Sequence, residues 1–393
     1  MPTFALKRFT HQETLKSIRT DNLLALFGRY DSYFGDRGVT LTPANGEDID
    51  YEGIARVLMS PDVEHTPPEM VDDLFFVDDM ATPESMEALR EEIATLPAAK
   101  RSTLALGPDP TPADVAVMVR LHAPDLLERK HAERHVESKR SFEYFQPKQA
   151  NSKKLKAPTD KQLKDLEATF DDAFDEMKRG RNSRVFVFEK DEHVWFLIRR
   201  GDTCRREGTM TTSSSSSVYY RPEVFDVLRY DHRTAELSIN AGTSKKICSL
   251  YREKIGLHLF GDAGHFPASS SKYKLDPLRE VGEDSLVCSD VDGLESVVLK
   301  EVHYAWGGPE NEIEVRKASD LFAAMKRRGR SIPKKARIIQ AKFDVKFSDS
   351  KTPRVVRVRP SNVASFTYDH DAPAVEEWLR LRGFASVVGE TDG

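Results

Sequence analysis

At 393 residues, 39% of them apolar and 31% charged, the chain is long enough for two or three domains with a core in each. No apolar run reaches the roughly 18 residues that a bilayer crossing needs, and the opening residues hold no apolar leader, so no membrane partner is expected. Cys204, Cys248 and Cys288 form neither a disulfide framework nor a zinc motif, and they point to a reduced, cytoplasmic setting.

The net charge of -5 is unevenly divided. Residues 1–126 carry 11 basic against 22 acidic side chains, whereas 316–359 carry 15 basic residues and only Asp320, Asp344 and Asp349 as acids. The two segments have different electrostatic roles: the basic one reads either as a solvated face balanced by the acidic N-terminal part or as a surface for a polyanion.

The first part reads as helical. Thr10 to Glu13 has the spacing of a capping box, and Leu15, Ile18, Leu23, Leu26, Phe27 and Tyr30 follow on one face, predicting a helix over 11–34. Thr66-Pro67, Thr82-Pro83 and Thr111-Pro112 each place a side-chain acceptor before a residue without an N–H, the arrangement of three further helix starts. Another helix is expected over 124–140. The segment 146–158 has four lysines, no acid and few apolar residues, and reads as a basic linker. The expected division is an acidic all-helical domain over 1–145, that linker over 146–158, and an α+β domain over 159–393.

Thr159 to Gln162 is a second capping box and opens an amphipathic helix that Gly180 stops. Apolar runs at 185–188 and 194–198 then form a hairpin. Two later stretches, from Tyr230 to Gly256 and from Tyr304 to Gly329, both read strand, turn, strand, cap, helix, and a third such unit runs from Ala336 through the final helix, where Asp371 caps and Gly383 stops. The five serines within 209–217 read as a flexible loop. The expected fold class is α+β multidomain: an N-terminal all-α domain, then a mainly antiparallel sheet domain built from hairpin-plus-helix units.

Motifs for chemistry are sparse. Neither GxxxxGK[ST] nor GxGxxG occurs, so no phosphate-cradling loop of a nucleotide enzyme is present and no cofactor is expected. His131 and His135 lie four apart, but Glu133 does not directly follow the first histidine as a zinc protease requires. His258, Asp262 and His265 are a weak metal candidate because a glycine-containing turn would fold them together. Asp290-Val291-Asp292-Gly293 reads as a turn rather than a cation loop. Asp344 and Lys346 have the D-x-K spacing of a nuclease strand, with Glu312 or Asp320 as the upstream acid. The alternative is that Asp344 pairs with its basic neighbours.

The basic segment carries the sharpest expectation. Alternation over 338–347 puts Ile339, Ala341, Phe343, Val345 and Phe347 on a buried face and Lys342 and Lys346 on the other, while Val356 and Val358 oppose Arg357 and Arg359 on the returning strand. Upstream, Lys326, Arg327, Arg328, Arg330, Lys334, Lys335 and Arg337 crowd a helix end, more cations than its dipole would need. These eleven residues are expected to touch the phosphate backbone of DNA or RNA, in an accessory or regulatory protein without a visible catalytic motif. Two other classes fit the same sequence: a protein-interaction scaffold that docks partners through 1–145, and a metal-dependent nuclease.

Overall fold

The computed structural model describes residues 9–41, 48–61, 64–137, 141–149, 154–190, 192–210, 214–269, 271–366 and 372–386. They form two compact units, Met1–Arg134 with Arg206–Tyr219, and His135–Arg205 with Tyr220–Gly393. None of the described helices is long and apolar enough to cross a membrane.

The N-terminal region is helical: α1 Gln12–Lys16, α2 Thr20–Gly28, α3 Asp31–Gly35, α4 Tyr51–Met59, α5 Pro68–Met80, α6 Pro83–Thr95, α7 Ala98–Thr103, α8 Pro112–His122 and α9 Pro124–Glu137. Seven consecutive residues of α8, Ala113 to Val119, are buried, all of them apolar except Asp114, so this helix is enclosed on every side and sits at the centre, against α2, α5 and α6. The Thr82 and Thr111 hydroxyls accept from the Ser85 and Asp114 N–H groups at 3.2 and 3.1 Å, as the sequence predicts. At the third site the helix starts one residue later, with Pro67 as its N-cap, and the Thr66 hydroxyl lies 3.0 Å from that of Tyr33.

The helix expected over 11–34 is three helices. At Arg19 the backbone turns extended (ψ 137°), and both its N–H and its Nε donate to the buried Asp114 carboxylate at 2.9 Å, joined by the Asn22 amide at 2.8 Å. A tertiary bond to a buried charge wins here over continuing the helix. The cap of α1 is His11, with no side-chain acceptor, so the Thr10 capping box does not form. A second buried carboxylate, Asp73 at 2% exposure, accepts from Arg29 at 2.9 Å, Arg120 at 2.7 Å and the Tyr30 hydroxyl at 2.7 Å.

The second unit is built on a ten-stranded sheet. Its strands are β1 Ser141–Phe145, β2 Arg184–Lys190, β3 His193–Gly201, β6 Glu223–Asp231, β7 Leu237–Asn240, β8 Leu294–Gly307, β9 Glu312–Lys317, β10 Arg337–Phe347, β11 Arg354–Arg359 and β12 Val363–Ser365. They run in the order β2-β3-β6-β7-β1-β12-β11-β10-β8-β9. The described pairings in this sheet are all antiparallel. Strands β4 Arg205–Met210 and β5 Ser215–Tyr220 form a separate two-stranded sheet, so much of the serine-rich stretch is hairpin rather than loop. The serines at 215–217 lie in extended backbone, which tolerates small polar residues on an exposed strand.

The helices are α10 Asp160–Glu176, α11 Lys245–Ile255, α12 Pro277–Glu280, α13 Leu321–Arg327 and α14 Ala372–Leu381. The Thr159 capping box is complete. Strand-strand-helix units are observed as β6-β7-α11 and β8-β9-α13, and the third unit, β10-β11-β12-α14, has a further strand before its helix; the expected Asp371 cap lies outside the described residues.

The division expected within 146–158 falls earlier, at 134/135, because 141–145 is not the tail of a helical domain. It is β1, paired with β7 on one side and β12 on the other, in the middle of the sheet. Nor is the described part of 146–158 a free linker: Gln146 donates to Glu236 at 3.1 Å, and Leu155 is buried in the core with Phe170 and Tyr230.

The two halves of the sheet carry their helices on opposite faces, although the face opposite α10 and α11 is also buried in the first half, at Trp195, Leu197 and Val227. In the half from β2 to β1, Phe196, Leu228, Leu237, Ile239 and Phe145 share a core with Leu166, Phe170 and Phe174 of α10 and Ile247, Tyr251 and Ile255 of α11. Following the register across β1, that same face continues through Glu143, Val363, Arg359, Arg357 and Lys342. The opposite face of the second half carries Ala364, Val358, Val356, Ala341 and Phe343 and is packed by α14, whose Trp378 ring lies 5.2 Å from that of Phe343. Buried ion pairs fasten α14: Arg229 donates to Glu376 at 3.1 Å, and Lys272 pairs with Glu236 close by.

Asp73→Ala is expected to destabilise the helical unit by about 3 kcal/mol, since it strands two guanidinium groups and a tyrosine hydroxyl around one buried position. Urea denaturation followed by circular dichroism measures it; a destabilisation below about 0.5 kcal/mol would contradict the role assigned to this carboxylate.

Candidate nucleic-acid interface

Strand β10 positions the predicted basic ribbon. Ala341, Phe343, Val345 and Phe347 are buried and Lys342, Asp344 and Lys346 half-exposed, as the alternation requires. The phase breaks at its start: the pairing with β8 jumps from Ile338 opposite Tyr304 to Gln340 opposite His303, so Ile339 is a bulge and Ile338 takes the buried place the sequence assigns to Ile339. Lys342 lies directly opposite Arg357, with Val356 and Val358 buried on the other side. Register puts Arg359 and Arg337 on the same face.

The six cations at 326–335 are placed differently. The Arg316 side chain, opposite Val302 and so on the face that carries Ala341, donates to the Ser331 carbonyl at 3.1 Å, and Arg279 of α12 donates to the Pro333 carbonyl at 3.2 Å. The connection from α13 to β10 therefore lies on the α14 side of the sheet, whereas Lys342, Lys346, Arg357 and Arg359 project from the other side. The eleven predicted residues form two basic patches, not one continuous surface. Sequence alternation cannot show this, because the side taken by a crossover helix is not written in the strands it joins.

The two patches differ in how far their charge is spent. On the sheet face, Lys346 Nζ lies 2.6 Å from Glu295, Asp344 pairs with Lys300 at 3.3 Å, and Glu301, opposite Lys342, is held by His303 at 2.6 Å and Lys317 at 3.8 Å. The hydrogen bond from His303, aided by Lys317 and Lys342, holds the Glu301 carboxyl below its usual range against partial burial. Arg357 Nε is buried without a hydrogen-bond partner. In the connection, Lys326, Arg327, Arg328, Arg330, Lys334 and Lys335 are all exposed, and among the described residues none has an ion pair or a side-chain hydrogen bond.

The nuclease and metal candidates are not assembled. Asp344 faces Lys300 rather than a second acid, and Asp320 is spent capping α13 by accepting from the Ala323 N–H at 2.9 Å. His258 Nε2 lies 3.0 Å from the Thr169 hydroxyl, Asp262 accepts from the Gly264 N–H at 2.8 Å within its own turn, and His265 is stacked on Phe260 with ring centres 4.1 Å apart. Burial pushes both imidazoles below their ordinary value. Among the described residues no three ligating side chains gather. His131 Nε2 is 3.2 Å from Asp79, its ring edge-on to Phe75 and Phe76; the side chain of His135 lies outside the described residues. Asp290 pairs with Arg382, and Gly293 (φ +85°) closes the expected turn. The Cys248 thiol donates to Glu143 at 3.3 Å, and burial pushes it well above its ordinary value.

One feature escaped the sequence altogether. Arg179, Arg181, Arg199, Arg200 and Arg221 line a cavity of about 430 Å³ at the ends of β3 and β6. Their common signal would have been the repeated arginine at element ends, but the residues span more than forty positions, and it takes the reversal after α10 together with the antiparallel pairing of β3 with β2 and β6 to join them.

Like charges directly opposite on neighbouring strands are destabilising. Arg357→Thr is therefore expected to stabilise the second unit by about 0.5 kcal/mol, within the range for cross-strand pairs, raising its thermal midpoint by roughly 1–2 °C. Scanning calorimetry tests it, and a lowered midpoint would show that Arg357 is held for stability. No protein-family model matches the chain and no curated protein matches it in sequence, so its function has to be argued from its own side chains.

Proposed function

We propose that this protein binds the phosphate backbone of nucleic acid as an accessory or regulatory component, chiefly through the connection between α13 and β10. The observation that carries this reading is the set of six exposed cations within 326–335, none of which has an ion pair or a side-chain hydrogen bond among the described residues. Cations elsewhere in the chain are commonly matched: Arg19, Arg29, Arg120, Arg200 and Arg229 each have a carboxylate within about 3 Å. A run of unmatched charge repels itself and costs stability unless an anionic partner relieves it.

Phosphates spaced along a nucleic acid suit such a run because each one neutralised releases condensed counterions, which makes binding tight at low salt and largely indifferent to sequence. The sheet-face cations Lys342, Arg357 and Arg359 supply a second, weaker strip on the other side of the sheet. With Lys346 and Asp344 already paired, that strip neutralises fewer phosphates than its composition suggests. Scaffold and nuclease functions have no comparable support: of the acids a nuclease would use, Asp344 is committed to Lys300 and Asp320 to the cap of α13, while Glu312 is exposed at the start of β9, opposite Gly307.

Fluorescence anisotropy with labelled single- and double-stranded DNA and RNA over a salt series tests the proposal. Wild-type affinity is expected to fall steeply with salt. In the variant Arg327→Glu/Arg328→Glu/Lys334→Glu/Lys335→Glu, the slope of log K against log[salt] should flatten by roughly three to four, since each phosphate that is no longer neutralised removes about 0.9 from it. Because the four side chains are exposed and the reversal relieves their mutual repulsion, the thermal midpoint should not fall. An unchanged slope in the folded variant, or no wild-type binding at about 50 mM salt, overturns the reading.

A further inference from the structure

We propose that the arginine cavity at the ends of β3 and β6 is a binding site for a phosphate group, separate from the surface that flanks β10. The two lie far apart in the sheet order: β3 and β6 are its second and third strands and β10 its eighth, so either can fail without the other.

The cavity is built by a reversal of the chain after α10. Lys178 (φ +62°) and Gly180 (φ +84°) turn the backbone past the end of that helix, bringing Arg179 and Arg181 beside Arg199 and Arg200 at the end of β3 and Arg221 just before β6. Two glycines make the approach possible. A Cβ on Gly180 would lie 3.1 Å from the Arg221 guanidinium carbon, and one on Gly201 would lie 2.6 Å from Arg221 Cδ. The Arg221 side chain thus rests on bare backbone, in a place no larger residue would leave open.

Four of the five guanidinium groups are fixed by hydrogen-bonded anchors, and the fifth, Arg199, stands near one acid. Arg200, with a side chain only 5% exposed, donates through Nε to Asp226 at 2.6 Å, and Asp226 also accepts from the Tyr251 hydroxyl at 2.7 Å. Arg179 pairs with Asp202, which also takes Arg205 at 2.9 Å. Arg181 donates to Asp172 at 2.6 Å and has Asp175 at 3.9 Å. Arg199 stands 3.6 Å from Glu223, the single acid among the lining residues. Arg221 donates to the Lys178 carbonyl at 2.9 Å and, among the described residues, has no carboxylate.

These anchors hold the forks in place yet use at most two of the five N–H groups that each guanidinium carries. The rest remain for a ligand. A ligand that accepts from several planar forks at once needs several acceptor oxygens in a compact group, which is the chemistry of phosphate. The acids do not forbid it: Asp226 is buried and spent on Arg200 and Tyr251, and Asp202 is shared by two arginines. Arg221 and Arg199, the least neutralised of the five, are the primary phosphate ligands, with the Asn182 amide beside them.

The test is isothermal titration of the full chain with sodium phosphate, and with chloride at matched ionic strength. Phosphate is expected to bind saturably and chloride not at all. Arg221→Gln and Arg199→Gln, made separately so that a folding failure in one leaves the other, should each weaken phosphate binding at least tenfold, with folding confirmed by circular dichroism. The charge-reversal variant at 327, 328, 334 and 335 should bind phosphate as wild type does. Oligonucleotides that differ only in a 5′-phosphate or a 5′-hydroxyl then identify the source. A preference for the 5′-phosphate that disappears in Arg221→Gln assigns the site to a nucleic-acid end, and displacement by a nucleoside monophosphate alone assigns it to a small phosphorylated molecule. Absence of a phosphate-specific signal in wild type, or an undiminished one in both folded glutamine variants, overturns the proposal.

Discussion

The second unit rests on one constraint: a strand offers two faces, and each half of the ten-stranded sheet is given its helices on a different one. Helices α10 and α11 close the face that carries Phe196 and Leu228, while α14 closes the opposite face at Phe343 and Val356. Side chains alternate without exception along an unbulged strand, so this exchange leaves the Val363–Lys342 face of the second half, beyond Glu143, without the cover of α10 and α11. The cations of β10 and β11 stand there, and the α13–β10 connection is pushed to the other side with α14. Two basic patches are a geometric consequence of where the helices pack.

Buried charge in this protein is nearly always matched, and that contrast gives the exposed charge its meaning. Asp73, Asp114 and Asp226 each gather two or more donors at positions almost closed to water, where an unmatched ion would cost several kcal/mol. The same carboxylates are what bend the N-terminal chain at Arg19 and fix Arg200 in the arginine cavity. Against that background the unpartnered guanidinium nitrogen of Arg357 and the six exposed cations at 326–335, which have no ion pair among the described residues, are departures from a local rule, and such departures concentrate where a partner is to be met.

Much of the secondary structure was legible because its signals are local. Thr82, Thr111 and Thr159 announce helices by chemistry that operates within four residues, and the alternation from Ala341 to Phe347 needs only a period of two. What was illegible depended on distant partners. Phe142 and Tyr144 alternate with Glu143, but five residues beside a charged helix give no hint that they occupy the middle of a sheet between β7 and β12. The break at Arg19 depends on Asp114, 95 residues away, and the bulge at Ile339 on the register of β8. Of the site, the identity of the basic residues could be read from the sequence and their distribution over two sides could not. The arginine cavity, assembled by a strand pairing, left no motif at all.

The central claim is that unmatched surface charge marks where this protein meets a polyanion. Hydrogen–deuterium exchange of the full chain, with and without a saturating oligonucleotide at low salt, tests it most directly because it asks where binding occurs rather than whether. The account predicts slowed exchange concentrated in 326–337, with a smaller effect in 354–359, and little change in the helical region. Protection confined to 9–134, or spread evenly over the chain, would contradict it.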